Sequence, residues 1–180
     1  MMNAAMFAPF HGSRAPWRFV ALGKKAMVEM QELTLKFYDK NWRTTGWANG
    51  VTGDEEEYRK WRDMTEEEIT GRWGPCSYMI ANVMRRKAGS VLMPEWEEAA
   101  AVACAVQNMH IQACVTPGVA CYWSSWHDAA RDSKEMATFL GIEPHDKVLG
   151  FFIVAACDPK LKNRSANKDR TPGGHVEWRE

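Results

Sequence analysis

The sequence lacks an excess of either charge and lacks any long hydrophobic run. Lysine plus arginine and aspartate plus glutamate number 23 each, so the formal net charge is zero. Proteins that bind nucleic acid normally carry a basic excess, so we expect no nucleic-acid partner. No apolar stretch approaches the roughly 18 residues of a membrane helix, so we expect no membrane span.

Paired cysteines are also missing. The chain has five cysteines, at positions 76, 104, 114, 121 and 157, and none of them forms a C-x-x-C pair. An odd, unpaired set argues against a disulfide framework and indicates a reducing compartment. We therefore expect a cytoplasmic protein, with an organelle as the alternative. His110 and Cys114 could share a helix face, but two ligands are too few for a metal site, so both are interpreted as packing residues and no metal is predicted.

Motifs of the common catalytic classes are absent as well. The chain has neither G-x-G-x-x-G nor a Walker pattern, and no pairing of a nucleophile with a base stands out. Three features remain: the turn that contains His11, the segment YWSSW at 122–126, and the cationic pair Lys162 and Arg164. Each alone is more often structural, because turn histidines commonly cap backbone groups and tail lysines commonly lie in water.

The composition that is present is that of one globular domain over residues 1–180. Hydrophobic residues make up 46% of the chain and charged residues 26%. Apolar periodicity predicts strands at 17–22, 75–85 and 147–156, and helices at 24–40, 94–114 and 128–140, the last ended by Gly141. This order of elements predicts an α+β fold.

The helix at 94–114 is the longest predicted element. Pro94 fits its first position, and the glutamates at 95, 97 and 98 suit the positive end of the helix dipole. At ~1.5 Å per residue it is roughly 30 Å long. Its run AAAVACAV is small-sided and apolar nearly all round, so we expect burial on most faces, in a core or against a second subunit.

Residues 41–74 follow no continuous apolar pattern. Glycines at 46, 50 and 53 precede a strongly charged block, in which Thr65 and Glu68 fit a capping box for one short helix. We expect a surface excursion or lid that is mobile before a ligand arrives. Its tryptophans, at 42, 47, 61 and 73, either line an acceptor pocket or pack into the core or lid.

Several segments, in order, resemble the flavin-dependent nitroreductase family. APFHGSRAPWRFVAL is similar to the family pattern A-P-x-H-x-x-x-x-P-W-x-F, and PEWEEAAAVACAVQNMHIQAC to its long central helix. GVACYWSSW and FLGIEPHDKVLGFFIVAACDP follow in the family's order, and MMNAAMFAPFHG is similar to the end of its first helix. The resemblance covers nearly all of the chain except 41–74.

The resemblance implies a nitroreductase-like mixed sheet flanked by helices, with the long central helix at a homodimer interface. It also implies FMN in a cleft between the subunits, reduced by NADH or NADPH. A nitroaromatic, quinone or similar small-molecule acceptor would then take the electrons by a ping-pong mechanism. The flavin would carry the redox chemistry, so no protein side chain is predicted to be catalytic.

The resemblance also implies roles for individual residues. His11 and Ser13 would contact the flavin from one subunit, whereas Trp123, Ser124 and Ser125 would approach it from the other. Lys162 and Arg164 would balance the FMN phosphate.

Two departures from the family pattern leave a second interpretation open. Relatives carry an R-R-S-x-R segment before the first helix, where this sequence has only seven residues ahead of Ala8, and they have glutamine where it has Ala15. The alternative is a cofactor-less, truncated or degenerate member that dimerises or binds a partner.

Overall fold

The structure is a computed structural model that describes residues 1–47, 50–86 and 93–160. Lys162 and Arg164 lie outside the described residues. No helix in the described ranges is long and apolar enough to cross a membrane. The helices and strands are α1 (Met2–Ala5), β1 (Trp17–Leu22), α2 (Lys24–Thr45), α3 (Glu55–Glu67), a π-helix (Glu68–Trp73), β2 (Tyr78–Met84), α4 (Glu95–Cys114), β3 (Val119–Ser124), α5 (Asp128–Arg131), α6 (Lys134–Leu140) and β4 (Lys147–Ala156).

The described strands form one four-stranded sheet in the order β1-β2-β4-β3. All three pairings are antiparallel, with Trp17 opposite Met84 and Met84 opposite Lys147 at one end of the sheet. The strands β1 and β3 therefore lie on opposite edges. The predicted α+β class is confirmed, as are the strands at 17–22 and 147–156.

Helices cover both faces of the sheet, which explains why β4 is apolar almost throughout. One face packs under α2 and α6 with Met30, Met136 and Phe151 fully buried. The other packs under α4 with Val102, Met109 and Phe152 fully buried. Helix α1 lies against α4, where the side-chain amide of Asn108 donates to the carbonyl of Ala4 at 3.2 Å.

Pro94 is the N-cap of α4, one position before the first helical position that was predicted for it. The first turn contains Glu95, Glu97 and Glu98, as predicted. Its length of 20 residues also matches the prediction. One side is buried on the sheet. The other side remains exposed, and Trp96 there keeps 72% of its surface in solvent.

Within 41–74, the described residues form helices and a packed aromatic cluster. Helix α2 continues to Thr45, and an aromatic cluster joins its end to α3. Within it the rings of Trp42 and Tyr58 stack with centroids 4.8 Å apart and an interplanar angle of 3°. Trp42 is 9% exposed and Trp47 5%, so these two tryptophans pack in a core. Mobility of this segment before ligand binding stays a prediction.

The predicted capping box at Thr65 is wrong. The box that forms uses Asp54 and Glu57: the backbone N–H of Glu57 donates to Asp54 Oδ1 at 2.9 Å, and the N–H of Asp54 donates to Glu57 Oε2 at 3.0 Å. Thr65 lies inside α3 and is buried, about three turns after the helix begins at Glu55, so it cannot serve as an N-cap. Trp73, at the end of the π-helix, then stacks on Tyr122 of β3 with centroids 5.9 Å apart.

The predicted helix at 128–140 is divided into α5 and α6. Ser133 breaks it, because its hydroxyl accepts from the N–H of Met136 at 3.1 Å and caps α6. Gly141 ends α6 in the left-handed conformation at φ 58°, as predicted.

Candidate functional site

The turn before β1 places His11 against the start of α4. Its Nδ1 lies 3.0 Å from Glu97 Oε1, and its side chain remains 79% exposed. The turn requires glycine at position 12, because φ there is 112°. Phe10 packs edge-on against Trp17 with centroids 5.2 Å apart, which fixes the turn to the sheet. Ser13 is exposed beside it.

The end of β3 lies unusually close to β4. The indole Nε1 of Trp123 donates to the carbonyl of Leu149 at 3.1 Å. Gly150 follows with φ 111°, and a Cβ placed there would lie 2.4 Å from the carbonyl oxygen of Ser124. Only glycine lets the two strands approach in this way, so Gly150 sets the position of Trp123 and Ser124.

The serines of YWSSW sit in a turn that is held from three sides. Ser124 Oγ accepts from the N–H of Trp126 at 3.0 Å, and the carbonyl of Ser125 accepts from Arg131 at 2.9 Å. Trp126 has φ 61°, a conformation that is rare for an aromatic residue. Its indole N–H donates to Thr34 Oγ1 at 2.9 Å in the interior, which holds the turn in place.

His127, which the sequence did not single out, follows that turn inside a cage of aromatic rings. Its imidazole is edge-on to Tyr38, Trp61 and Trp126, with centroids 5.9, 6.2 and 5.2 Å away. Burial lowers the pKa of His127 below 6.5, partly opposed by the carboxylates of Glu68 and Asp128. The ring is therefore neutral at pH 7 and serves as packing.

The two predicted groups of flavin-contacting residues lie on different edges of the sheet. His11 and Ser13 precede β1, whereas Trp123, Ser124 and Ser125 end β3. Three strand spacings of about 4.8 Å separate these edges by about 14 Å. Along the strands, Trp17 is level with Lys147 at one end of the sheet, whereas Ser124 pairs with Phe151, which is level with Val20 near the middle; β3 runs toward the end at which β1 begins. One chain therefore does not bring the two groups into contact.

Another cluster forms at the opposite end of α4. His110, Cys114 and Cys121 place one ring nitrogen and two sulfur atoms within 4.8 Å of one another. Burial and the neighbouring Cys114 raise the pKa of the Cys121 thiol to about 12. The spacing in the sequence had already indicated that His110 and Cys114 share a helix face. It missed Cys121 because that residue joins them only when β3 turns back along α4.

The family model described as "Nitroreductase family" matches residues 1–156 of the chain. The chain belongs to the nitroreductase family. A search of curated protein sequences with this nitroreductase-family protein gives no significant match.

Solved structures of nitroreductases share its fold. It is 18% identical to a nitroreductase-like family protein from Bacillus cereus, with a TM-score of 0.66 over 99% of this chain and 81% of that one. It is 17% identical to an FMN-bound nitroreductase from Bacteroides fragilis, with a TM-score of 0.67 over 99% and 84%. It is 12% identical to the FMN-dependent nitroreductase NfnB from Mycobacterium smegmatis, solved with NADPH, with a TM-score of 0.61 over 87% and 75%.

Ala15, at the family's glutamine position, is partly buried in this nitroreductase-family protein. It packs against the apolar cluster under α4 rather than standing in solvent beside Ser13. Lys162 and Arg164, the predicted phosphate partners, are outside the described residues and stay predictions.

Proposed function

We propose that this protein is an FMN-dependent oxidoreductase that passes electrons from NADH or NADPH to a nitroaromatic, quinone or related small-molecule acceptor. Membership of the nitroreductase family supports this reaction class. The observation that carries the proposal is the division of the two polar groups between opposite edges of one sheet. A cofactor that needs both groups binds where two copies of the chain meet.

The exposed side of α4 is the proposed dimer interface. Trp96 and Ile111 are 72% and 53% exposed there, and Val115, directly after the helix, is 68% exposed. The small residues Ala100 and Cys104 and the polar Gln107 are exposed between them. A monomer seldom leaves so long an apolar stripe in water. A second copy with twofold symmetry would cover it with the same stripe, and the small side chains would permit close approach of the two helices.

The residues present fit an FMN molecule in that cleft. Trp123 is 38% exposed and offers an aromatic surface, and exposed serines stand on both edges of the sheet. The indole N–H of Trp123 is already bonded to Leu149, so this residue would contribute its ring rather than a hydrogen bond. Flat heteroaromatic rings pack well on such surfaces, with hydroxyl groups at their polar edges.

The proposed role of His11 follows from its partner. An ionised carboxylate can only accept, so Nδ1 of His11 carries the proton that it shares with Glu97. The ring is thereby oriented with Nε2 available to a ligand. Ser124 Oγ accepts from Trp126, which leaves its own hydroxyl proton to donate. Ser13 and Ser125 would supply further contacts, and Lys162 and Arg164 would balance the phosphate.

When bound, FMN supplies the two-electron chemistry, first with the nicotinamide and then with the acceptor, which makes a ping-pong order our proposal. The chain supplies position and exclusion of water. We also place the protein in the cytoplasm, because the thiols at 76, 104, 114, 121 and 157 are all free.

The test is the colour of the purified protein. It should be yellow, or become yellow when FMN is added, and its flavin bands should bleach when NADH or NADPH is added without oxygen. Addition of a nitroaromatic or quinone should restore the bands. A protein that stays colourless with added FMN would refute the proposal and favour the alternative, a cofactor-less member that dimerises or binds a partner.

A further inference from the structure

We propose that His110, Cys114 and Cys121 form a binding site for a zinc ion, separate from the proposed flavin cleft. The three side chains meet where the C-terminal end of α4 turns into β3. Cys114 Sγ lies 4.0 Å from His110 Nε2, and all three ligand atoms lie within 4.8 Å of one another. Imidazole and thiolate are the ligands that zinc prefers in proteins.

Two helix positions and one strand position create the site. His110 and Cys114 are four residues apart on α4, so they lie one above the other on the same face. Cys121 lies opposite Val154 and packs on the side of the sheet that α4 covers. The turn at 115–118 joins these elements, and the N–H of Val119 donates to the carbonyl of Thr116 at 3.3 Å within it.

The separations require only small movements to hold an ion. Zn–S distances of about 2.3 Å and Zn–N distances of about 2.0 Å in a tetrahedral site put the ligand atoms about 3.5–3.8 Å apart. Cys114 is exposed in the single chain, so its side chain can rotate and an ion can enter there before a second copy covers the neighbouring Ile111 and Val115. The edge of the His110 ring rests against Phe152, with centroids 6.4 Å apart, which limits the positions that its Nε2 can take.

The proposed ion has three protein ligands and one water. Each thiol loses its proton when its sulfur binds zinc, whereas the imidazole binds in its neutral form. Binding of one zinc ion therefore releases two protons. No oxidant is needed. The ion would tie the end of α4 to the edge strand β3, at the end of the helix opposite His11 and Glu97.

Zinc content of untagged, full-length protein tests the proposal. After incubation with zinc under reducing conditions and removal of unbound metal, the wild type should retain one zinc per chain. Cys114→Ser and Cys121→Ser should each bind zinc at least about tenfold more weakly. Cys104→Ser is the matched control and should bind zinc like the wild type, because Cys104 is an exposed cysteine of the same helix about 15 Å from Cys114, and serine keeps the small side chain that the proposed dimer contact needs.

A second measurement separates ligation from folding. Zinc should raise the melting temperature of the wild type and of Cys104→Ser, but not of Cys114→Ser, whose altered side chain is exposed. Magnesium, which prefers oxygen ligands, should have no such effect. Retention of zinc by both ligand variants, equal loss in Cys104→Ser, or failure of the reduced wild type to bind zinc would overturn the site. Flavin binding is measured on other residues, so either proposal can fail alone.

Discussion

The imidazole of His11 lies 3.0 Å from the carboxylate of Glu97, 86 positions further along the chain. This contact holds the turn before β1 against the first turn of α4. It gives a direct test of the proposed cofactor contact. His11→Ala should weaken FMN binding about 2- to 12-fold, which corresponds to one hydrogen bond of about 0.5–1.5 kcal/mol. Glu97→Gln should have a smaller effect in the same direction, because the ring keeps a partner without charge.

The measurement is quenching of FMN fluorescence during titration with protein. His145→Ala serves as the control, since His145 is an exposed histidine in the loop between α6 and β4. Unchanged FMN affinity in His11→Ala would remove His11 from the proposed site.

Gly150 provides a test of the close approach between β3 and β4. Gly150→Ala should lower the free energy of unfolding by about 1–3 kcal/mol, because the new Cβ would lie 2.4 Å from the Ser124 carbonyl and φ is 111°. Urea unfolding measures the loss. Gly71→Ala is the matched control: no heavy atom lies within 4 Å of its Cβ position, so stability should be unchanged or slightly higher. Equal behaviour of the two variants would contradict the assignment.

The caged His127 predicts how stability depends on pH. Its pKa lies below 6.5 in the folded chain, whereas the unfolded chain binds a proton at the ordinary value. At pH values between the folded and the unfolded pKa of His127, the unfolded state binds more protons than the folded state. The free energy of unfolding therefore falls as the pH falls below about 6.5, and the full contribution of His127 is present above that pH.

Urea unfolding at pH 7.5 and 5.5 measures this effect. His127→Gln cannot gain the proton, so its stability should change less over this interval than that of the wild type. His145→Gln, altered at an exposed histidine, should keep the full change. A wild type and His127→Gln with the same pH dependence would show that the cage does not control protonation.

The exposed stripe of α4 predicts the oligomeric state. The wild type should be a dimer by analytical ultracentrifugation. Ile111→Glu should weaken dimerisation at least about tenfold, because it places a charge in the apolar contact. Val28→Glu alters an equally exposed apolar residue, 50% exposed on α2, and should leave the dimer intact. FMN should be lost together with the dimer. A monomeric wild type that retains FMN would refute the shared cleft.

Much of the fold could be predicted because its signals are local. The segment WRFVAL became β1, the run KVLGFFIVAA became β4, and the glutamates after Pro94 marked the start of α4. The capping box could not be placed in this way. Asp54 with Glu57 and Thr65 with Glu68 both fit the pattern, and only the position of Thr65 within a helix already formed decides between them.

The candidate site was less accessible from sequence, because its geometry depends on pairing between distant segments. The sequence named Trp123 and Ser124 but not Gly150, whose role is visible only when β4 lies beside β3. Likewise, the rings that surround His127 come from α2 and α3, which are distant in sequence. Cys121 lies beside His110 only because the chain turns back after α4. Alternation along β3 was the available signal for Cys121, since it points to the same face as Val119.

The strand order of the sheet also has a genetic consequence. In the proposed dimer each cleft takes its β1 edge from one copy and its β3 edge from the other. A copy defective at His11 paired with a copy defective at Ser124 would therefore assemble one cleft with both defects and one with neither. Two alleles whose substitutions at these positions each abolish FMN binding would complement each other in the same cell, with up to half of the normal activity in each mixed dimer.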